Sequence, residues 1–509
     1  MMALCMTRED SESRATGMTL VELARELATL GASVSGDAAT RVLGVHQDSR
    51  AVEVGDLFVA RAGASADGAR FAADAVRRGA VAVLAEQGAE LGPLSVPVVR
   101  VRDVVSALAF AAEAVYGFPS RKVALVGITG TNGKTTTASL VQQALLAAGK
   151  RAALLGTLGF FFDGAQSEAT HTTPGADDIS RRLAAVAVRG GSHLVMEVSS
   201  HALELGRVAA LGFEVAAFSN LTQDHLDFHG SMAAYGAAKA RLFEELSPRA
   251  SVINVDDAFG RELALRARGR VLSVSRKGPA SVAAERAQLD LHGIQAEIRI
   301  EQRSYRLRSR LVGAHNLENL LLALGILLAL GLEPEAALRA LESAAGAPGR
   351  LERCDQVGDQ RLVVVDYAHT PDALERVLDV LRPLTPGKLW CVFGCGGDRD
   401  PGKRPLMGKA VATRADHAVV TNDNPRTEKP EDIAAAIVPA LAESGIDFAV
   451  ELDRAVAIRR ALLATEPGDT VLIAGKGHED YQIFGHEKRP FDDRVEARAA
   501  LAELRGENR

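Results

Sequence analysis

Val123-Ala-Leu-Val-Gly-Ile-Thr-Gly-Thr-Asn-Gly-Lys-Thr-Thr136 is the stretch on which the fold turns. Its apolar, partly β-branched start predicts a buried strand at Lys122–Val126. A glycine-rich turn follows, then Leu140, Val141, Ala144, Leu145 and Ala148, spaced for one helix face and closed by Gly149. Strand, glycine turn, Gly-Lys-Thr and helix together form the context of a phosphate-binding loop. Glycines let successive backbone N–H groups converge on phosphate oxygens, and the helix N-terminus adds partial positive charge. In that arrangement Gly130, Thr131, Asn132, Gly133, Lys134, Thr135 and Thr136 bind ATP, with the loop taken to span Gly127–Thr136. Lys134 reaches the β- and γ-phosphates, and Thr135 offers its hydroxyl to Mg²⁺, the expected cofactor. The spacing departs from the common pattern, because Ile128 occupies the position five before Gly133 and Gly127 lies one residue further back.

Outward from the loop, short β-branched runs alternate with amphipathic helical stretches, the pattern of α/β domains with largely parallel sheets. At 509 residues the chain exceeds one core, and three domains are expected. Residues 1–17 read as an extension, and Met18 as an alternative start. A small α/β domain covers 18–119, with a strand at Asp56–Ala60, a helix at Phe71–Arg78 stopped by Gly79, and a strand at Ala80–Leu84. The turn-rich Tyr116-Gly-Phe-Pro-Ser120 leads into a central P-loop ATPase-like domain over 120–346. Its further strands are Leu194–Met196, Val215–Phe218 and Ser251–Val255, with a buried helix around Leu320–Leu332. A Rossmann-like domain over 347–509 carries strands at Leu362–Val365, Lys388–Phe393, His417–Val420 and Thr470–Ala474.

Composition narrows the class. Hydrophobic content of 47% and charged content of 24% are those of a soluble globular protein. A net charge of -6 gives no electrostatic reason for a nucleic-acid or membrane partner. Cys5, Cys354, Cys391 and Cys395 are too scattered for a disulfide framework, and the spacing of the last two does not complete a zinc site, so reduced thiols are expected. The leading residues carry acids and lack an apolar h-region, which argues against a secretory signal. The run Leu320–Leu332 is shorter than the roughly 20 residues that cross a bilayer. A cytoplasmic monomer without membrane insertion is expected.

Two other strand ends place chemistry beside the loop. Leu194-Val-Met-Glu-Val-Ser-Ser-His201 closes a buried strand with a carboxylate and hydroxyls, which suits Glu197 to a hard cation. Ser219-Asn-Leu-Thr-Gln-Asp-His-Leu-Asp227 supplies Asp224, His225 and Asp227 just past the strand Val215–Phe218. An acid, a histidine and a phosphate loop at neighbouring strand ends make a candidate site. By its residues alone Lys239, in Ala234-Tyr-Gly-Ala-Ala-Lys-Ala-Arg-Leu-Phe243, is a surface lysine on an amphipathic helix.

In the last domain four polar motifs each follow a strand: Asp366-Tyr-Ala-His369, Gly394-Cys-Gly-Gly-Asp-Arg399, Asp423-Asn-Pro-Arg426 and Gly475-Lys-Gly-His-Glu479. Open α/β sheets bind ligands beyond the carboxyl ends of their strands, so these loops are expected to share one crevice. Arginines grip a carboxylate and acids bind an ammonium, which is what an amino acid asks for.

Eight ordered segments resemble the Mur ligase family: GTNGKTTT, MEVSSHAL, NLTQDHLDFHG, YGAAKARLF, VDYAHTPD, FGCGGDRDPGKRPLM, DNPRTE and GKGHEDYQ. The resemblance runs from about Asp48 to Gln482. It implies an ATP-dependent ligase of peptidoglycan precursor synthesis, which phosphorylates a terminal carboxylate and lets an amine displace the phosphate. The narrower likeness implies addition of meso-diaminopimelate to UDP-N-acetylmuramoyl-L-alanyl-D-glutamate. It further implies that Thr135, Glu197 and His225 bind Mg²⁺, and that Lys239 carries a CO₂-derived carbamate as another metal ligand. Lys134, Lys239 and His225 are then the catalytic set. Asn316 and Asn319 match adenine-side residues, with His315 where an aromatic residue is usual, although Asn316 also suits a helix N-cap. Arg350 and Asp366 match residues that close over the nucleotide, and His369 receives no step.

Ser49, Thr172, Thr173, Ser199 and Arg207 match the UDP-sugar side, although a single arginine is more often a solvated surface charge. Ala64, Ser65 and Ala69 depart from the more polar or basic residues found there in relatives. Asp423-Asn-Pro-Arg426 resembles the diaminopimelate version, which lysine-adding relatives lack. The amino-acid set is Arg399, Asp423, Asn424, Arg426, Gly475 and Glu479. A lysine-adding ligase, a folylpolyglutamate-type ligase and a non-catalytic nucleotide switch are the alternatives.

Overall fold

The computed structural model describes residues 17–62, 67–168 and 171–507. Residues 1–16, Ala64 and Ser65 lie outside the described residues. The chain forms two compact units. The first comprises residues up to Ser275 with Pro279–Val282 and Leu322–Ala337; the second comprises Arg276–Gly278, Ala283–Leu321 and residues from Leu338 onward.

The first unit begins with a sheet of β1 (Ser33–Ser35), β2 (Gly44–His46), β3 (Asp56–Ala60), β4 (Ala82–Glu86) and β5 (Val98–Val101), ordered β1-β5-β4-β3-β2. Only β1 runs antiparallel to its neighbour. The expected strand at Ala80–Leu84 starts two residues later. Gly79 takes a left-handed φ of 118°, and the Ala80 N–H returns to the Ala75 carbonyl, so the helix cap consumes the residues before β4.

The second sheet of this unit contains β6 (Ala124–Thr129), β7 (Ala152–Gly156), β8 (Gly159–Phe162), β9 (Ala165–Ser167), β10 (His193–Glu197), β11 (Val215–Phe218), β12 (Ala250–Asn254) and β13 (Arg270–Ser275). They neighbour one another in the order β9-β8-β7-β10-β6-β11-β12-β13. From β7 to β13 every pairing is parallel, so the carboxyl ends of β10, β6 and β11 share one edge. Leu125, Val126 and Ile128 are buried, as strands covered on both faces require.

The strand before the phosphate loop is displaced from the expected Lys122–Val126. The N–H groups of Lys122 and Val123 return to the Pro119 carbonyl, which delays the strand, and pairing then continues to Thr129. The loop is therefore shorter than Gly127–Thr136. It turns at Gly130, and the helix Lys134–Ala147 begins directly after Gly133. Gly127 is a strand residue whose missing side chain makes room for Phe213: a Cβ there would lie 2.5 Å from the Phe213 ring. That is the physical basis of the spacing departure. Gly127→Ala is expected to cost about 1–3 kcal/mol of stability by overpacking, read as a lower denaturation midpoint.

The second unit contains the antiparallel strands β15 (Gly293–Ile300) and β16 (Arg303–Ser309), next to β14 (Val282–Asp290). Its main sheet has β17 (Glu352–Arg353), β18 (Leu362–Asp366), β19 (Leu389–Phe393), β20 (His417–Val420), β21 (Asp447–Val450) and β22 (Thr470–Ala474), ordered β17-β18-β22-β19-β20-β21. All pairings except β17–β18 are parallel. Alternation sorts β18 between two cores: Leu362 and Val364 pack with Leu389 and Phe393, while Val363 and Val365 pack with Ile458 and Leu462. A hairpin of β23 (Tyr481–Phe484) and β24 (Glu487–Pro490) follows β22.

Candidate active site

In the first unit, three neighbouring strand ends build a phosphate cradle. Gly130 has φ +142°, and a side chain there would collide with the Ser219 hydroxyl. Gly133, with φ 85°, caps the following helix without a side-chain bond. The loop is braced from the end of β11: the Thr131 N–H donates to the Asn220 carbonyl at 2.8 Å, and the Asn132 N–H to Asn220 Oδ1 at 3.0 Å. Lys134 folds back, its Nζ donating to the carbonyls of Gly130 and Thr131 at 2.9 and 2.8 Å.

Glu197 ends β10 and is buried. Its Oε2 accepts from the Thr135 hydroxyl at 2.9 Å, and its Oε1 from the Thr157 N–H at 2.8 Å. A carboxylate and a hydroxyl held together in this way are the hard oxygen donors that Mg²⁺ selects, so these residues fit the ion.

Lys239 is not the surface lysine expected from its helix. It is 1% exposed, with Nζ 2.9 Å from the Gly130 carbonyl and 4.3 Å from the centre of the Tyr235 ring. Burial, with the Lys134 ammonium nearby, pushes its pKa down to about 6. The shift favours the neutral amine far more than at an exposed lysine. His225 adopts a left-handed backbone, φ 51°, and its ring stands edge-on to His201 at 4.8 Å and to Tyr235 at 6.1 Å. Its Nε2 lies 3.6 Å from Asp224.

Four of the UDP-sugar candidates, Thr172, Thr173, Ser199 and Arg207, form a connected network through Thr157 and Glu197. The Thr172 and Thr157 hydroxyls are 3.1 Å apart. The Thr173 hydroxyl donates to the Glu197 carbonyl at 2.9 Å, and the Ser199 N–H donates to that hydroxyl at 3.0 Å. Arg207 is half-buried rather than solvated, and its guanidinium donates to the Thr173 carbonyl at 2.7 Å. Ser49 is buried in a single turn next to Gln47, which clasps Asp177 through its N–H and side-chain amide at 3.1 and 2.7 Å. Ala69 is buried in the turn Gly68–Phe71.

The second unit holds the remaining candidates. Asn316 does not cap its helix, which starts at Ala314; its Nδ2 donates to the Val312 carbonyl and its Oδ1 accepts from Asn319. Arg350 stacks over Tyr367 at 5.0 Å. Asp366 accepts the N–H groups of Leu351 and Ala368, both at 2.8 Å, so it shapes the loop it begins. Burial raises its carboxyl above the usual range, opposed by the Leu351 N–H and Arg350.

The four polar motifs follow the adjacent parallel strands β18, β22, β19 and β20, and three of them interlock by side chain. Arg426, with φ 51°, donates to the Gly397 carbonyl at 2.8 Å, while the Gly397 N–H donates to the Asn424 carbonyl at 2.9 Å. A non-glycine residue held at that φ costs of order 1 kcal/mol and marks a constrained position. The Asn424 Nδ2 donates to Glu479 Oε2 at 3.0 Å. A Cβ on Gly475 would meet Asp423 Oδ2 at 3.1 Å, which keeps that loop in contact with the carboxylate. Arg399 is exposed at the rim. Beneath these loops the fully buried Arg454 pairs with Asp493 and donates to the carbonyls of Asn422 and Ala474, both at 3.0 Å, fixing the spacing of two loop bases.

Sequence reasoning passed over Thr157, Tyr235, Asp177 and Lys476. Tyr235 was legible, since it precedes Lys239 by four residues on one helix face. Lys476 carried a signal too, a lysine between two glycines at a strand end. Thr157 and Asp177 carried none, because their roles come from contacts distant in sequence.

Three family models match the chain: "Mur ligase family, catalytic domain" over 41–116, "Mur ligase middle domain" over 128–327, and "Mur ligase, glutamate ligase domain" over 349–477. The chain is 47% identical over 470 residues to UDP-N-acetylmuramoyl-L-alanyl-D-glutamate--2,6-diaminopimelate ligase of Synechococcus elongatus, covering 91% of this chain and 94% of that one. It is 46% identical to the ligase of the same name from Pseudomonas putida, covering 94% and 98%. A solved structure of a ligase of that name superposes with a TM-score of 0.73 at 34% identity, covering 96% of this chain and 99% of the other. Mycobacterium tuberculosis folylpolyglutamate synthase, solved with ADP and AMPPCP, shares the fold at a TM-score of 0.55 and 21% identity, covering 79% and 95%.

Proposed function

The chain belongs to the Mur ligase family, and on that premise we propose that it is the ligase that adds meso-diaminopimelate to UDP-N-acetylmuramoyl-L-alanyl-D-glutamate with consumption of ATP. The single observation that carries the choice of amine is the interlocked pair of loops Asp423–Arg426 and Gly475–Glu479, which offer an arginine, an amide and a carboxylate to one amino acid. Diaminopimelate has a second carboxylate that lysine lacks, and Arg426 is the cation suited to it.

The chemistry follows from the residues. A terminal carboxylate oxygen of the UDP-linked dipeptide attacks the γ-phosphorus of ATP, the bond to ADP breaks, and an acyl phosphate forms. The amine then attacks the acyl carbon, loses a proton, and the tetrahedral intermediate expels phosphate. The main chain of Gly130–Gly133 and Lys134 orient the phosphates, and the Lys134 ammonium meets charge on the transferring group. Thr135, Glu197, His225 and a Lys239 carbamate would hold Mg²⁺, which would supply further neutralisation when bound. Asn316, Asn319, Arg350 and Asp366 are assigned to the nucleotide, and Ser49, Thr172, Thr173, Ser199 and Arg207 to the UDP-sugar.

We place the domain boundaries at 119/120 and 346/347 and the working form as a cytoplasmic monomer, where ATP and a UDP-linked precursor meet. The test is phosphate release from ATP with the UDP-linked dipeptide and diaminopimelate, lysine or ornithine. Release is expected with diaminopimelate and little with the other two. Preference for lysine would move the chain to the lysine-adding branch, and nucleotide binding without release under all three would leave a switch.

A further inference from the structure

Lys476 sits inside the Gly475–Glu479 loop with its side chain wholly shielded from solvent. Its ammonium lies 3.3 Å from Asn424 Oδ1, 3.3 Å from Glu479 Oε2 and 3.7 Å from Asp423 Oδ1, and 5.4 Å from the centre of the Tyr481 ring. Burying an ammonium is costly unless charges and hydrogen bonds offset it, and here two carboxylates and an amide oxygen do so. The exchange is mutual. Asp423 Oδ1 is buried without a hydrogen bond in the described structure, so the nearby cation balances its charge.

The consequence lies in the direction of the Asn424 amide. Its two ends have nearly the same shape, and only their partners decide which way it points. A lysine ammonium and a backbone N–H can only donate. Asn424 faces one of each, Lys476 Nζ and the Ile483 N–H at 3.0 Å, so its oxygen must turn toward them. Its NH₂ group is thereby aimed at Glu479 Oε2. That oxygen receives both Asn424 and Lys476, which leaves Glu479 Oε1 as an acceptor. Asn424 retains one amide hydrogen as a donor.

We propose that Lys476 is a positioning residue of the amino-acid subsite: by pinning the Asn424 amide and one oxygen of Glu479, it sets a donor for the ligand's carboxylate beside an acceptor for its ammonium. The inference rests on reading this crevice as the amine subsite. Without Lys476 the Asn424 oxygen keeps only the Ile483 N–H, Glu479 Oε2 loses its cation, and Asp423 and Glu479 repel each other, which loosens the paired polarity.

The test is a double-mutant cycle of Lys476→Met and Glu479→Gln in the full-length enzyme, with steady-state constants for all three substrates. Lys476→Met is expected to raise the KM for diaminopimelate about tenfold or more, with kcat at saturating amine and the KM values for ATP and the UDP-linked dipeptide nearly unchanged. The charge-balanced double variant is expected to lose no more than the worse single variant, because both act through one arrangement. Losses that multiply, or KM values that rise together for all substrates, overturn the proposal. If Lys476→Met does not fold, Lys476→Gln closes the cycle by the same criterion. Wild-type enzyme assayed with diaminopimelate and lysine checks the substrate reading separately; if lysine is the amine used, the cycle is run with lysine and the same outcomes decide.

Discussion

Lys239→Ala is expected to lower kcat on the order of 10²–10³-fold, the scale of removing one preorganised electrostatic partner from a transition state. The amine is buried against Tyr235 and the Gly130 carbonyl, and burial brings its pKa down to about 6. The lowered pKa favours the neutral amine, the form that carries a lone pair. In the proposed role, addition of CO₂ would form an N–C bond and release a proton, and the resulting carbamate would place an anion with two oxygens where the amine now lies. Alanine empties the space of one of the largest fully buried side chains, so the denaturation midpoint is measured beside the rate. A short carboxylic acid such as acetate or formate is expected to restore part of the rate, its carboxylate standing in for the lost carbamate. Phosphate release with and without the added acid is the measurement. A small loss with no rescue would remove Lys239 from the machinery.

Arg426→Ala carries the second large effect and separates amine recognition from ATP use. Losing a hydrogen bond to a charged group costs about 2–3 kcal/mol, which is on the order of 30–150-fold in the KM for diaminopimelate. The KM for ATP should stay nearly constant. Part of the loss comes through the protein, since Arg426 also holds the Gly397 carbonyl at 2.8 Å and so ties the Gly394–Arg399 loop to its own. Arg426→Lys should recover little, because an ammonium cannot reproduce the planar fork. Discrimination between diaminopimelate and lysine, taken as a ratio of kcat/KM values, is expected to shrink in both variants. Equal losses on amine and ATP would count against the assignment.

Much of this site was legible before any coordinates. The strand, glycine turn and helix around Lys134 follow a local pattern in which each residue acts near its chain neighbours. The strands at Asp56–Ala60, Val215–Phe218, His417–Val420 and Thr470–Ala474 lie where β-branched and apolar runs put them. Errors fell at boundaries, where one hydrogen bond decides. Pro119 captured the N–H groups of Lys122 and Val123, and the Gly79 cap captured that of Ala80. Lys239 was misread for a different reason. Helical periodicity says which residues share a face, but not whether that face meets water or a phosphate loop.

The sequence by itself determined the α/β class, the loop that grips phosphate, and the set of strand-end motifs, because all three depend on short-range backbone geometry and side-chain chemistry. Only the tertiary structure decided that Gly127 belongs to a strand packed on Phe213, that Lys239 is buried with its pKa pushed down, and that Lys476 lies within hydrogen-bond reach of the Asn424 amide oxygen. Those facts depend on desolvation and on partners brought together by sheet order, and neither is encoded in the spacing of residues along the chain.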